Sequence, residues 1–316
     1  MTSDQVNVTS VTLDGLQQLS ELRLLFFLIF LSAYLFVLCS DGLVLLVICT
    51  RRSLHQPLFV FVAALLLNSL LGGGVIYPRL LWELLWGGEA VRVTLSACAC
   101  QAWVVYSLDA SAFMLLAAMA FDRYVFICRP LRAAALLSPR AVAALLMSCW
   151  LLPAVMVGGA TLLAARQPLC RARISRLFCD VYSLIRLSCG GRTALLSETF
   201  ALLTSSATVL LPSVFVLFSY GSILSVCLRR TRSCSSKALR TCLPHLLVFI
   251  NYSACAGVEV LQRRLQADGE PAASVLTSII LVLVPTVFNP VVYGLNMRAV
   301  SGHLRELLGC TRTIGL

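Results

Sequence analysis

Asp122, Arg123 and Tyr124 close a long apolar run, residues 95–121, immediately before a basic stretch. Where hydrocarbon gives way to water an unpaired charge is costly. An adjacent carboxylate and guanidinium offset each other while the arginine keeps donors for a second partner, which are the parts of a switch. The same triplet also suits a plainly solvated helix end with positive flanks. Asp109 lies in the middle of the run, where a carboxylate costs about 2.5–3.5 kcal/mol to insert. It must therefore face the protein interior or a water-filled cavity, either as a ligand contact or as acceptor in a buried hydrogen bond from a Ser or Tyr. Val105, Tyr106 and Phe113 sit within a turn or so on nearby faces and would add apolar contact. Glu198 and Glu259, at the ends of later apolar runs, could share such a pocket, and acids there suit a cationic or amine ligand. Against that, Arg166, Arg171, Arg173, Arg176, Arg186 and Arg192 crowd one connection and would attract anions.

Those residues need elements to hold them, and composition says which. The chain has 316 residues, 59% hydrophobic and 12% charged, against about 25% charged in an ordinary soluble domain. Its solvent is lipid. A spanning helix takes roughly 20 apolar residues. Seven stretches qualify: residues 24–49, 58–78, 95–121, 141–165, 199–228, 241–262 and 272–297, the second, fourth, fifth and seventh free of Asp, Glu, Lys and Arg. The expectation is an all-α membrane protein, a seven-transmembrane helix bundle over residues 24–297, with an N-terminal tail (1–23) and a C-terminal tail (298–316). No cleavable signal peptide is visible, so the first apolar span would serve as targeting signal. In the tail Val300, Leu304, Leu307 and Leu308 fall at helical spacing among Arg298, His303 and Arg305, a short amphipathic helix for the inner leaflet, with Cys310 a candidate palmitoylation site.

The net charge of +11 comes from arginines in the gaps between spans, where they face lipid headgroups and membrane-side partners rather than nucleic acid. Lys and Arg are in modest excess in the gaps after spans one, three and five and in the C-terminal tail, which leans toward a cytoplasmic C-terminus. Asn7-Val8-Thr9 is an N-glycosylation acceptor pattern, as an extracellular N-terminus would carry. A second match, Asn251-Tyr252-Ser253, falls inside span six, out of reach. Most of the 14 Cys read as small core hydrophobes, but Cys98, Cys170, Cys179 and Cys189 gather at one face, which should be oxidising and extracellular if they are bonded. Four cysteines allow three pairings.

The chain holds only three His, none spaced with acids for a metal, and neither a GxSxG elbow nor a phosphate-cradling glycine loop. No enzyme, metal site or cofactor is expected. A transporter is the other alternative, and the internal repeat such folds usually carry is not visible.

The string MAFDRYVFICRPLR at residues 119–132 resembles the MAxDRYxAICxPLxY signature of odorant receptors, a branch of the rhodopsin-like G-protein-coupled receptors. Four further strings resemble the family in the right order: LHQPLF from Leu54, Ser219-Tyr220, KALRTCLPHL from Lys237, and PTVFNPVVY from Pro285. The wording of spans two and five is closer to fish odorant receptors than to mammalian ones. The resemblance implies Cys98 bonded to Cys179 and Cys170 to Cys189, each bridge contributing about 3–5 kcal/mol. It implies a plasma-membrane receptor with its N-terminus outside, binding a small odorant between spans three, five, six and seven. It also implies that Tyr220 and Tyr293 swing toward Arg123 as span six moves outward, activating a heterotrimeric stimulatory G protein that raises cyclic AMP. Asn289-Pro290 would supply the bend, since proline frees a carbonyl for which a nearby amide can compete. A non-olfactory or weakly coupled receptor of the same ancestry is the alternative.

Four residues depart from the family pattern. Asp41 stands where Asn is usual and Ser69, after Asn68, where an acid is usual, so Asp41 could supply the missing carboxylate from the neighbouring helix. Pro244 replaces a common Ser in span six. Phe126 replaces a small residue after Arg-Tyr-Val.

Overall fold

The computed structural model describes residues 9–87, 91–229, 232–265, 271–296 and 302. Asn7, Cys310 and the expected C-terminal amphipathic helix lie outside them. Seven helices among the described residues are long and apolar enough to cross a membrane. They are α1 (Arg23–Thr50), α2 (Pro57–Trp86), α3 (Leu95–Cys128), α4 (Pro139–Ala165), α5 (Arg192–Leu228), α6 (Arg232–Leu265) and α7 (Pro271–Asn296). Local chemistry starts several of them. Thr94 and Ser138 cap α3 and α4 by accepting from the Ala97 and Ala141 N–H groups, and Pro57 and Pro139 occupy first-turn positions that need no donor.

Burial is distributed as lipid demands. Leu203 and Phe218 are each 61% exposed on the flank, while Asp41, Asn68, Ser69, Ser107 and Ser111 are buried. Helix α3 runs through the middle, packing against α2, α4, α5 and α6. Its buried Ala110, Ser111, Ala112, Ala118 and Ala120 let neighbouring backbones approach closely. Helix α1 packs on α2 and α7.

The helices overrun the apolar stretches that announce them. Helix α2 continues eight residues past Pro78 to Trp86, and Pro244, Pro285 and Pro290 are likewise inside helices. An unwound backbone in lipid would leave polar groups unsatisfied, so the helix tolerates proline rather than stopping. Its far end is closed by Arg23, whose guanidinium donates to the carbonyls of Glu83 (3.1 Å), Leu84 (3.1 Å) and Gly87 (2.6 Å). Helix α3 runs past Phe121 to Cys128, so Asp122-Arg123-Tyr124 lies within the helix and not at a solvated end. Helix α5 includes one π turn, Ser206–Leu210, directly before Pro212, where the wider turn relieves the proline ring.

The helical bundle expected from sequence carries one small sheet besides. Strands β1 (Ser10–Leu13), β2 (Val91–Thr94) and β3 (Arg173–Ile174) lie in the order β2-β1-β3, with β1 antiparallel to β2 and parallel to β3. Val11 and Leu13 are completely buried in it. The 3-10 turn that follows, Gly15–Leu22, sets Leu16 and Leu19 against Tyr77, Leu80, Phe178 and Val275. The segment 10–22 is thus folded over the end of the bundle. These strands are too short for a period-two pattern to stand out in the sequence.

Candidate ligand cavity and switch residues

The end of the bundle under the sheet is fastened by two disulfides, Cys98–Cys179 and Cys170–Cys189. The first joins the start of α3 to the connection between α4 and α5. Beside it the Cys179 N–H donates to Gln101 Oε1 at 3.1 Å, and the same oxygen accepts from Arg79, which is paired with Glu83 at 2.7 Å.

Beneath that connection is a compact charge network. Arg176, 2% exposed, lies 3.5 Å from Asp180 and 3.6 Å from Glu259, and donates to Gln262 at 3.4 Å. Burial opposes its charge, but Asp180 and Glu259 outweigh burial and hold the guanidinium pKa above its usual value. Arg263 donates to Glu259 at 2.5 Å and to the Tyr106 hydroxyl at 3.2 Å, and Tyr106 in turn donates to Glu259. The faces of Arg263 are covered by Tyr182 at 4.9 Å and Tyr106 at 5.9 Å. Two acids meet two arginines, so Glu259 is already neutralised. This corrects the expectation that it offers a free charge to a cationic ligand. Asp180, Tyr182 and Arg263 are not singled out from sequence and Arg176 only as one of six arginines in its connection, although Glu259 and Arg263 stand four apart on one helix and so can be paired.

The candidate ligand residues divide between two cavities with Tyr106 as common wall. The smaller, about 50 Å³, is lined among others by Asp109, Val105, Ser69, Tyr252, Glu259 and Thr286. Asp109 is exposed, and it is this cavity it faces. Its size suits a few waters. The larger, about 350 Å³, lies between α3, α4, α5, α6 and the short helix Val181–Leu187. Val157, Ala160 and Ile185 line it, with Glu198, Thr204 and Arg263 as polar groups. Among the described residues, neither α7 nor Asp109 lines this cavity. Phe113 reaches neither: it is buried in the core with its ring 5.9 Å from that of Tyr252, because the helical turn carries it deeper than the cavity floor.

Toward the other end of α3, Asp122 accepts from Arg123 at 2.8 Å and 2.5 Å, with Asp122 fully buried. The Arg123 guanidinium also lies 5.3 Å from the Phe126 ring centre. Tyr124 packs in a cluster with Tyr220, Ile223, Cys227 and Cys242. Tyr293 is fully buried, its ring 5.8 Å from buried His245 and its hydroxyl directed at Met119 Sδ. Asn289 donates to the Tyr252 hydroxyl at 3.0 Å, so its amide is engaged by α6 instead of by the carbonyl freed at Pro290. Asp41 is fully buried and Ser69 is its polar neighbour across the α1–α2 contact. Asn68 is not part of that pair; it links Leu108 and Trp150.

Seven spanning helices around a central α3, with a cavity at one end and a buried acid-arginine pair toward the other, define a G-protein-coupled receptor. The olfactory receptor family model matches residues 30–310, and the chain belongs to that family. It is 33% identical to human Olfactory receptor 10Z1 over 307 residues, 96% of each chain. It is 31% identical to human Olfactory receptor 10C1 over 98% of this chain and 97% of that one, and 29% identical to mouse Olfactory receptor 6E1 over 96% of each. The protein is therefore a multi-pass membrane receptor and not an enzyme or a transporter.

Proposed function

We propose that the protein binds a small odorant in the larger cavity and activates an olfactory stimulatory G protein, raising cyclic AMP. The observation that carries this reading is that α3 supports both ends of the device. Tyr106 walls the cavity and Arg123, seventeen residues on, is held by Asp122. At 1.5 Å per residue the two are about 25 Å apart along the helix. A ligand that binds one helix arrangement more tightly than the other shifts the population toward it. Tyr252, Asn289, His245, Tyr293 and Tyr220 supply the intervening contacts, and outward movement of α6 would let Tyr220 and Tyr293 swing toward Arg123 and open a groove for a helix of the G protein. The disulfides favour the cavity end as the extracellular face, with residues 1–23 outside and 298–316 in the cytoplasm. A small-ligand cavity of about 350 Å³ is within the usual range.

Ligand-evoked cyclic AMP, measured in cells whose surface display is verified by an N-terminal tag, tests the reading. Arg123→Ala should abolish the response with display intact. Surface display with silence to amines, acids, alcohols and esters would favour the weakly coupled alternative, for which the Phe126 ring against Arg123 is the specific structural ground.

A further inference from the structure

We propose that the larger cavity is a site for a primary amine with an apolar body, its ammonium held by the Glu198 carboxylate. The proposal rests on that cavity being the receptor's ligand site. Among the described residues Glu198 has neither an ion pair nor a hydrogen-bond partner, yet it lines a cavity of about 350 Å³. The charges of Arg176 and Arg263, which would favour an anion, are already paired with acids. Arg263 gives Nη2 to Glu259 and Tyr106 and both faces to Tyr106 and Tyr182, its buried Nε remaining without an acceptor, Arg176 is held between Asp180 and Glu259, and Arg186 stacks on Tyr182 at 5.7 Å. Within this set the acids Asp180 and Glu259 balance Arg176 and Arg263, which leaves Glu198 as the uncompensated charge facing the cavity. An ammonium there gains a charge-assisted hydrogen bond and neutralises it.

The rest of the wall says what the amine carries. Val157, Ala160, Ile185, Ala201 and Val260 present apolar surface. Thr204, 4% exposed, lines the same cavity, and its hydroxyl has no hydrogen-bond partner. It stands six residues after Glu198 on α5, about 9 Å deeper at 1.5 Å per residue. A ligand with an amine at one end and a hydroxyl at the other would satisfy both groups.

The test uses the full-length receptor in lipid nanodiscs, followed by thermal unfolding, with cyclic AMP measured in parallel in cells. The probes are heptylamine and phenethylamine, their alcohol and carboxylate counterparts, and 7-aminoheptan-1-ol. A ligand that binds only the folded state raises the melting temperature with concentration. The amines should stabilise at concentrations at least tenfold below the alcohols or acids. Glu198→Gln should remove that advantage without changing the ligand-free melting temperature, and Glu198→Asp should retain part of it. Thr204→Val should erase any preference for the amino alcohol over heptylamine. Equal stabilisation by alcohols or acids, or amine stabilisation unchanged in Glu198→Gln, overturns the proposal. Amine binding that depends on Glu198 without a cyclic AMP response upholds it and removes the coupling assignment. Cyclic AMP evoked by alcohols or acids while the amines do not stabilise overturns it and leaves the receptor reading intact.

Discussion

The side-chain amide of Asn289 on α7 donates to the hydroxyl of Tyr252 on α6 at 3.0 Å, fully inside the bundle. Tyr252 also lines the smaller cavity and sets its ring against Phe113 of α3. One phenol therefore joins three helices at the level where the cavity ends. Tyr252→Phe keeps the ring contacts and leaves the amide donor unpaired, a loss of about 1–3 kcal/mol for a buried group. The bond joins α6 to α7, so on the proposed mechanism, in which α6 moves outward on activation, basal cyclic AMP per surface receptor should rise severalfold. Unchanged basal signalling would show that the bond is kept in both states.

Phe126 offers a second handle on the proposed switch. Its ring faces the Arg123 guanidinium, a contact of about 0.5–1 kcal/mol at a partly exposed site. Phe126→Ala should raise basal cyclic AMP by roughly two- to fivefold, since 1.4 kcal/mol is a factor of ten. Phe126→Tyr should leave it near the parent level, as an aromatic face is preserved.

The network under the α4–α5 connection should behave as a unit. Glu259→Gln leaves Arg176 and Arg263 sharing Asp180, and breaking a buried pair costs about 3–5 kcal/mol. Removing Arg263 as well should cost less than the two single changes added together. Melting temperatures of the two single variants and the double variant in nanodiscs measure that coupling; strict additivity would dissolve the network as an energetic unit.

The two disulfides close loops of very different length, with sequence separations of 81 and 19. On the chain-entropy model they contribute about 4.5 and about 3 kcal/mol. Cys98→Ser should reduce surface display more than Cys170→Ser does, measured by N-terminal tag staining against total receptor.

Gly15 is the joint between the sheet and the bundle. A Cβ at this position would stand 2.5 Å from the Arg176 carbonyl oxygen, so any side chain must push β1 off β3 or displace Arg176. Gly15→Ala should lower the melting temperature, with overpacking of this kind costing about 1–3 kcal/mol. A melting temperature equal to the parent's would show that residues 10–22 are not held against Arg176.

Much of the architecture is legible from the chain alone, for a physical reason. Lipid offers no partners to backbone groups, so each apolar run has to become a helix, and the run that ends at Asp122-Arg123-Tyr124 announces where charge must be paired. What the run could not say is that α3 and α2 continue past the apolar residues, because helix ends depend on capping and packing and not on hydropathy alone. The roles of the acids were likewise undecided. Glu259 and Glu198 are the same residue type at similar distances from helix ends, and only the folded chain brings Arg176 and Arg263 onto one while leaving the other unpaired in a cavity. Tyr106 divides what the spacing of Asp109, Glu198 and Glu259 suggested was one pocket, and Phe113 falls below both halves. A charge acquires its function from partners contributed by distant segments, and those partners are chosen by tertiary packing.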